Sequence, residues 1–534
     1  MKWRTGFVVL LLLSLVGNAF GQGAEPTKIW ISDSIPTELL LRIAPLFDSG
    51  EYTWTNDLNT ADLALDFERS TGAVTTEWIY VPVVAFASTA ESIRWEDIRA
   101  YWSGNTGALS YLTPDRSIPV FVTSNETYRA MLSLLGAPAD SVPLYFAETT
   151  EAIVPGLWAA RPGSWGIQGF SALTTDVKVL TMDRIDVFSD SFDSRSYPLT
   201  THIDLKGDPA KLGAAIEDLL ALNAWQPSNR NVNAMARVVL TGVTALTRAT
   251  AFKMEERGVT APAEGIMPFI QDADILHTSN EVSISENCPR PDPFGGVVFC
   301  SRESYFDLLK YIGLDVVELT GNHVNDYGPG TMRYTLDWYQ ANGIATFGGG
   351  YDPLDARDAY IADVKGNTIA FIGCNVPGPY NAWATETRVG AAECDEAYLE
   401  SEIPRLSQEV DVVILSFQEF EYYQYNPGRA ALQRFLKYAN LGADVIIGTQ
   451  AHQPHGFTFQ NGAFLHHGLG NLFFDQMQSI VTRQMFMDKV IIYDGRVISV
   501  VLFTGLIEDF CCPRPMTAVE RADFLNAVFA ANGW

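Results

Sequence analysis

Basic residues are scarce in this sequence. The 534 residues include 36 Lys and Arg against 63 Asp and Glu, which gives a formal net charge of −27. A protein that grips nucleic acid through its phosphates needs a basic surface, and so does one that adheres to an anionic membrane. The composition therefore argues against both partners. An acidic surface is compatible with cations or neutral sugars as ligands.

Long apolar runs are missing beyond the N terminus. Lys2 and Arg4 precede an apolar run at 7–16, and small residues follow it up to Gly21. This pattern predicts a secretory signal peptide over residues 1–21. The run is too short to span a bilayer, and no later stretch reaches about eighteen uninterrupted apolar residues. We therefore expect a secreted, extracytoplasmic protein whose mature chain has no transmembrane helix.

Cysteine is absent before Cys288, and all six cysteines follow that point. Their even number fits an oxidising compartment. Two disulfides are expected between nearby cysteines, Cys288–Cys300 and Cys374–Cys394. The adjacent Cys511 and Cys512 are not expected to pair with each other, because such a bond needs a strained geometry. No C-x-x-C spacing is present, which leaves a zinc cluster with little support.

Residues 28–231 alternate β-rich apolar runs with amphipathic segments, which predicts an α/β domain. Several of its segments resemble landmarks of type II periplasmic phosphate-binding-like proteins, namely 81–85, 93–98, 101–104, 162–167 and 197–199. The resemblance implies that a small anion could bind at helix N termini and backbone amides. Within the turn at 123–127, Ser124 or Asn125 is expected to cap a helix, and an ordinary N-cap is the favoured interpretation.

Residues 236–534 are predicted to form a second α/β domain. Thr517 and Glu520 have the spacing of a capping box, so the domain should end in a helix. Six of the seven histidines fall in this half, and polar turns follow its apolar strands. Ligands of open α/β sheets gather beyond the carboxyl ends of the strands. The turns expected to form a site are 241–244, 279–281, 321–326, 416–421, 448–452 and 470–471.

In order and spacing, these turns resemble the CapA family of capsule and poly-γ-glutamate synthesis proteins over residues 237–475. The motifs that carry the resemblance are GNHVND at 321–326, GADVIIG at 442–448 and GLGNLFF at 468–474. The resemblance implies a calcineurin-like metallophosphoesterase fold, an αββα sandwich with helices outside two packed sheets. It also implies a role in the synthesis, release or attachment of an extracellular polymer.

The family pattern implies a two-metal site whose ligands come from several strand ends and hold a phosphoester between two cations. Carried onto this sequence, the pattern makes Glu281, Asn322 and His452 metal ligands. The same pattern makes Asn322 and His323 the catalytic pair, in which His323 protonates the leaving group.

This sequence departs from the family pattern at three strand ends. Val243 stands where the family has an Asp, and Gln418 and Gln450 stand where it has histidines. Valine cannot bind a metal, and a glutamine carbonyl is a weak neutral ligand compared with imidazole. We therefore expect the two-metal centre to be lost and at most one divalent ion, Mn, Fe or Zn, to be held.

Other polar and aromatic residues nearby suggest binding of a sugar or a peptide-like polymer. The candidate ligand-binding residues are Gln418, Glu421, Gln450 and Asn471, with tyrosines at 422, 423 and 425 beside them. The same amides could instead satisfy buried backbone groups. Glu281 and Glu421 are a third possibility, a glycosidase acid–base pair. At most one of His466 and His467 can face the site, because successive strand residues point to opposite faces.

Two functions therefore stay open. In the first, the chain is a metal-dependent hydrolase that retains one ion and uses His323 as general acid. In the second, it is a catalytically silent module that binds a polysaccharide or polyglutamate strand in a degenerate metal site. Metal content and the effect of His323→Ala on phosphatase activity distinguish the two.

Overall fold

The structure, a computed structural model, describes residues 25–68 and 74–534. It divides into two compact units, Met1–Leu173 with Val179–Asn231, and Thr174–Lys178 with Val232–Trp534. The signal peptide predicted at residues 1–21 lies outside the described residues. Among the residues that are described, no helix has both the length and the apolar character needed to cross a bilayer. The prediction of a two-domain α/β protein is confirmed.

The first unit is built on a mixed sheet. Its strands are β1 Thr27–Ile31, β2 Tyr52–Thr55, β3 Leu63–Glu68, β4 Thr75–Ala85, β5 Val120–Ser124, β6 Leu144–Ala147, β7 Ser164–Gly169 and β8 Thr200–Gly207. They follow the order β2-β1-β3-β8-β4-β7-β5-β6. β8 is antiparallel to β3 and β4, whereas β1 is parallel to β2 and β3. Shorter strands lie at Ser92–Ile93, Val177–Val179 and Thr181–Met182.

Two of the five helices described in the first unit begin at a side-chain cap. The five helices are α1 Thr37–Ile43, α2 Trp95–Trp102, α3 Asn125–Leu135, α4 Ile153–Ala159 and α5 Pro209–Ala221. At the start of α3, Ser124 Oγ accepts a hydrogen bond from the backbone N–H of Thr127. Asp208 caps α5 in the same way, ahead of a proline in its first turn. Ser124 is therefore an ordinary N-cap, as favoured from the sequence.

The second unit contains two large sheets and a two-stranded sheet of Gly349–Gly350 with Gly390–Ala391. The first consists of β9 Met235–Thr241, β10 Val243–Thr244, β11 Ile275–Asn280, β12 Val316–Glu318, β13 Ala345–Phe347, β20 Asn471–Phe473, β21 Gln484–Tyr493, β22 Arg496–Glu508 and β23 Cys512–Pro515. The second consists of β14 Tyr360–Val364, β15 Asn367–Asn375, β16 Val412–Gln418, β17 Val445–Thr449, β18 Phe457–Gln460 and β19 Ala463–His466. The orders are β13-β12-β11-β9-β21-β22-β23, with β10 pairing β11 and β20, and β14-β15-β16-β17-β19-β18.

Helices cover the outer face of each sheet. They are α6 Arg248–Arg257, α7 Met267–Ile270, α8 Asp307–Tyr311, α9 Pro329–Ala341, α10 Pro353–Arg357, α11 Glu396–Glu409, α12 Arg429–Asn440, α13 Ile480–Arg483 and α14 Ala518–Ala531. Val239 and Val317 pack with residues of α6 and α9 in one core, and Leu415 packs with residues of α11 and α12 in another. The alternate strand residues face the opposite sheet. The expected αββα sandwich is confirmed.

Charged groups are buried between the two sheets. Glu318 on β12 accepts a hydrogen bond from Thr449 on β17 at 2.9 Å and lies 3.5 Å from His277 Nε2. His466 on β19 lies 2.5 Å from the carboxylate of Asp488 on β21. All four charged or titratable side chains are fully buried. The Glu318–Thr449 and His466–Asp488 contacts join the two sheets, because each pairs a residue of one sheet with a residue of the other.

Three disulfides use all six cysteines. Cys288–Cys300 and Cys374–Cys394 form as predicted. The expectation that Cys511 and Cys512 would not pair was wrong, since they form a disulfide between adjacent residues. The pair lies at the tight turn between β22 and β23, where residues 509 and 510 have positive φ, so the backbone leading into it is not that of a regular strand.

The C-terminal helix α14 begins with the predicted capping box. Thr517 accepts from the backbone N–H of Glu520, and the Glu520 carboxylate accepts from the backbone N–H of Thr517. Arg514 also pairs with the Glu520 carboxylate. Together these interactions lower the pKa of Glu520 to about 2. At its far end, α14 lies on the edge of the second sheet, where the Asn532 amide donates to the carbonyl of Phe457.

Candidate functional site

Polar side chains converge where the parallel strands of both sheets end. Glu281 follows β11, Asn322 follows β12, Gln418 ends β16 and Gln450 follows β17. A close backbone approach makes this convergence possible. A Cβ at Gly321 would lie 2.6 Å from the Cα of Glu281, so only glycine allows the two turns to come so near. The sequence prediction that these turns share one region of the fold agrees with this geometry.

The amide of Gln418 lies among the oxygens of its neighbours. Its Nε2 donates to Glu281 Oε1 at 3.2 Å, to Asn322 Oδ1 at 3.2 Å and to Gln450 Oε1. Gln418 is fully buried and Glu281 is 1 % exposed. Gln450 has φ of 67°, in the left-handed region that costs a residue with a side chain about 1–2 kcal/mol. This strained backbone lies at the site, where such conformations are concentrated.

His452 and Asn471 form a second, adjoining pair. His452 Nδ1 lies 2.7 Å from Asn471 Oδ1. The Asn471 amide nitrogen donates to the backbone carbonyls of His452 and Thr482, so its oxygen is the atom that faces the imidazole. Nδ1 of His452 is therefore the protonated nitrogen. Nε2 is left 3.9 Å from a carboxylate oxygen of Glu421.

His323 is oriented by an aspartate from its own turn. Its Nδ1 lies 2.8 Å from Asp326 Oδ2, which also accepts from the backbone N–H of Phe299 at 2.7 Å. The imidazole packs on the Phe299 ring, with 4.2 Å between ring centroids, and its side chain is 20 % exposed. A histidine held in this way by a carboxylate has a fixed tautomer and can exchange a proton at its other nitrogen.

An apolar cluster fills the position at which the family pattern has an Asp. It consists of Val243, Ala245, Val282, Phe299 and Phe474. The Phe474 ring packs on His452, and Phe299 packs on His323, so each imidazole has an aromatic neighbour. The loss of the carboxylate at position 243 is therefore accompanied by packing of hydrocarbon against both histidines.

Arg248 was missed by sequence reasoning. Its guanidinium lies over the rings of Phe299 and Phe474, at 4.7 and 4.9 Å, and forms an ion pair with Asp475. Asp475 also accepts from the backbone N–H of Ala249 at the start of α6. No pattern in the sequence marks an arginine at a helix start as a site residue. Only the fold brings residues 248 and 475 together.

The residues present do not fit a tightly bound metal ion. Gln418 directs amide protons, which repel a cation, at the oxygens of Glu281 and Asn322 that would have to bind one. Val243 offers no donor atom. Within residues 25–68 and 74–534, no group of three or more His, Cys, Asp or Glu side chains is arranged to hold a metal.

Of the other residues predicted to bind a ligand, some lie in the core and some at the surface. Gln450 and Asn471 are buried, whereas Glu421 and Tyr423 lie in an exposed loop, where the tyrosine hydroxyl donates to the carboxylate. Glu281, its proposed glycosidase partner, is buried against Gln418. The two carboxylates thus have very different surroundings.

His466 and His467 lie outside the strand-end set. His466 pairs with Asp488 between the sheets, and His467 lies 2.9 Å from the Thr458 hydroxyl, packed on Phe435. Burial, and the proximity of His466, lower the pKa of His467 to about 3, so this imidazole is neutral in the folded protein at physiological pH. Both histidines serve packing between secondary-structure elements.

In the first unit, the start of α3 carries a carboxylate. Glu126, in the first turn, accepts from the backbone N–H of Thr37 at 3.1 Å and from its hydroxyl at 2.7 Å. Burial raises the pKa of Glu126. The protein thus places its own anion at the turn where the sequence suggested an external one.

The fold and the site define the second unit as an αββα sandwich with a polar strand-end site whose members are hydrogen-bonded to one another. Residues 237–476 match the sequence model of the family described as "Bacterial capsule synthesis protein PGA_cap". This part of the chain is therefore similar to that family, in agreement with the resemblance to CapA proteins.

Two curated relatives support the same assignment. The PGA biosynthesis protein CapA of Bacillus subtilis is 24 % identical over 225 residues, which cover 42 % of this chain and 59 % of the relative. The capsule biosynthesis protein CapA of Bacillus anthracis is 22 % identical over 221 residues, which cover 40 % of this chain and 53 % of the relative. The chain thus spans little more than half the length of the curated relatives that it matches.

Solved structures with likeness to this chain fall into two groups. An ABC-type phosphate transport receptor from Vibrio cholerae is 13 % identical, covers 36 % of this chain and 92 % of its own, and gives a TM-score of 0.31. A 5'-nucleotidase precursor from Thermus thermophilus is 13 % identical and gives a TM-score of 0.32. The match covers 56 % of this chain and 58 % of the nucleotidase chain. TM-scores this low do not define the fold, which follows instead from the sheet order of this chain.

Proposed function

We propose that this chain acts outside the cytoplasm in the synthesis or attachment of a capsular polysaccharide or poly-γ-glutamate, and that its second unit binds the polymer without cleaving it. The names of the curated relatives support the polymer class. The three disulfides support the compartment. The observation that carries the non-catalytic role is the hydrogen bonding of Gln418 to Glu281, Asn322 and Gln450. Groups that satisfy one another in this way are not directed at a substrate.

The proposed contact surface is the loop that follows β16. Phe420, Tyr422 and Tyr423 are 49 %, 37 % and 53 % exposed, and Glu421 lies between them, 3.9 Å from His452. Aromatic rings supply apolar faces and carboxylates accept hydrogen bonds from hydroxyls, so together they suit a sugar chain. The net charge of −27 repels a polyanion. A neutral polysaccharide is therefore the preferred ligand, and polyglutamate the alternative.

Replacing Tyr423 with Ala should weaken binding of a neutral capsular polysaccharide by about tenfold, since an anchoring aromatic residue typically contributes more than 1 kcal/mol. Tyr145→Ala is a matched control, because Tyr145 of the first unit is 55 % exposed and loses the same ring. Calorimetry on the full chain with polysaccharide and with poly-γ-glutamate measures both effects. Equal affinities for Tyr423→Ala and Tyr145→Ala would reject this loop as the contact surface.

The alternative function is a hydrolase that keeps one metal. The observation that favours it is the orientation of His323 by Asp326, which leaves a partly exposed imidazole able to transfer a proton. A phosphatase assay with a generic ester, run on the same samples, is the discriminating measurement. Metal-dependent turnover that disappears in His323→Ala would establish the hydrolase and end the proposal of a silent binding module.

For the first unit we propose a small-anion site at the start of α3, where phosphate must compete with the Glu126 carboxylate for Thr37. The pKa of Glu126 is raised by burial, so the group becomes neutral at a higher pH than an exposed glutamate does. Phosphate should therefore bind more tightly at a pH where Glu126 is protonated than at a pH where it is ionised. Glu126→Gln should bind phosphate at least about fivefold more tightly at pH 8, because repulsion between nearby unit charges is about 1 kcal/mol even in water.

Calorimetric titration with phosphate at several pH values tests this site. Glu217→Gln, which neutralises a glutamate on α5 of the same unit, controls for the change in net charge. An affinity for phosphate that does not depend on pH, or that is the same in wild type and Glu126→Gln, would contradict the competition.

A further inference from the structure

We infer that the amide nitrogen of Gln418 takes the place of a cation at the strand ends, so that the second unit holds its site together without a metal. This inference deepens the proposed function, on which it rests for the identity of the ligand. It assigns Gln418 a specific role as the internal substitute for an ion.

The first observation is the set of atoms around Nε2. One carboxylate oxygen and two amide oxygens, from Glu281, Asn322 and Gln450, surround this single nitrogen. Carboxylate and amide oxygens are the donors that hard cations take in proteins. Here the same oxygens receive the two partly positive protons of an –NH2 group. The opposite orientation of the Gln418 amide would set its oxygen against a carboxylate and is excluded by repulsion.

The second observation is the other end of the same amide. Gln418 Oε1 lies 3.3 Å from the Thr449 hydroxyl, and Gln418 is paired in register with Thr449 across β16 and β17. The strand pairing therefore fixes where the side chain begins, and the oxygens around Nε2 fix which way the amide faces. Rotation of the amide would break the hydrogen bonds of Nε2 and set Oε1 against the Glu281 carboxylate.

The third observation is burial of a negative charge. Glu281 is 1 % exposed and Gln418 is fully buried. An ionised carboxylate that has left water needs a compensating partner. Gln418 Nε2 provides hydrogen bonding to this carboxylate at 3.2 Å, as a cation would in a metal-dependent relative. The amide nitrogen of Gln418 is thus the group that compensates the buried Glu281 carboxyl.

A single isosteric change tests the inference. Gln418→Glu exchanges the –NH2 group for an oxygen, which places a second carboxylate against Glu281 and leaves four oxygens with no proton between them. We expect the melting temperature of the second unit to fall by about 10 °C in EDTA. Millimolar Mn²⁺ or Ca²⁺ should restore most of the loss, because a cation can then occupy the position that Nε2 has left.

The matched control is Gln168→Glu in the first unit. Gln168 is 1 % exposed, and its Oε1 has no hydrogen-bond partner among the described residues, so the change also buries a carboxylate. It should destabilise the protein to the same degree in EDTA and in Mn²⁺. If Mn²⁺ fails to rescue Gln418→Glu, or rescues Gln168→Glu equally, the inference is overturned.

The metal content of the wild-type chain provides a second measurement, which also decides the matter if Gln418→Glu does not fold. After exposure to Mn²⁺, Fe²⁺ and Zn²⁺ and removal of free ions, wild type should hold far less than one ion per chain, and EDTA should not shift its melting temperature. Stoichiometric metal that is lost in His452→Ala would overturn the inference. Neither result depends on polymer binding, so failure of the proposed function and failure of this inference are told apart.

Discussion

Replacing His466 with Phe should lower the free energy of unfolding of the second unit by about 3 kcal/mol, because the buried Asp488 carboxyl loses its hydrogen-bond partner. His466 and Asp488 are both fully buried, with 2.5 Å between Nδ1 and the carboxylate. Phe keeps an aromatic ring among Phe457 and Phe486, whose ring centroids lie 4.3 and 4.9 Å from that of His466. The loss would therefore come from leaving the Asp488 carboxyl without its hydrogen-bond partner rather than from an empty cavity.

The double variant His466→Phe/Asp488→Leu is the control for this effect. Replacing a buried pair with apolar residues of similar size is often neutral or stabilising, so the double variant should regain most of the loss. Guanidinium unfolding of all three chains gives the free energies. A single variant within about 0.5 kcal/mol of wild type, or a double variant no more stable than the single, would show that the pair is not coupled.

The α/β class of the second unit could be predicted because its signal is distributed over many residues, whereas the αββα sandwich was implied by the resemblance to the CapA family. Apolar runs ending in polar turns recur along the chain, and alternating α and β segments favour sheets covered by helices. The capping box at Thr517 and the N-cap at Ser124 are local patterns with local causes, and both are present. Such features depend on neighbouring residues alone, so the sequence contains what is needed to predict them.

Features that depend on distant contacts were less accessible. The sequence identified the turns that contain Gln418, Glu281 and Asn322, but it could not show that one amide nitrogen faces the oxygens of the other turns. Partners of this kind lie 96 and 137 residues apart. The pairing of Cys511 with Cys512 was missed for a different reason, since it depends on a turn conformation that the residue types do not specify.

The burial of His466 with Asp488 between the two sheets could not be predicted from the local sequence either. His466 lies just before the strand-end motif GLGN, a position that suggests a ligand role. Its imidazole lies between the sheets instead. Which of two adjacent strand residues faces a site follows from strand register. Register is set here by pairing of β19 with β17 and β18, which no local pattern encodes.

Gly242→Ala should destabilise the second unit by about 3 kcal/mol, the upper end of the usual range for overpacking. A Cβ at this position would lie 1.9 Å from the backbone oxygen of Gly470, well inside any permitted contact. That oxygen accepts a hydrogen bond from the backbone N–H of Val243 at 3.0 Å, so it cannot retreat without breaking the approach of β10 to β20. Asn471, which holds the His452 imidazole, directly follows Gly470 and would move with it.

Gly330→Ala is the matched control, because a Cβ there meets nothing within 4 Å and the residue lies in the first turn of α9. Alanine is the better helix former by about 1 kcal/mol in a helix interior, so this variant should be as stable as wild type or slightly more stable. Chemical unfolding compares the two, and the His452 ring reports on the site through its NMR signals. Equal stability of Gly242→Ala and Gly330→Ala would mean that the strand ends can separate, and the contact between Asn471 and His452 would then not depend on the close approach at Gly242.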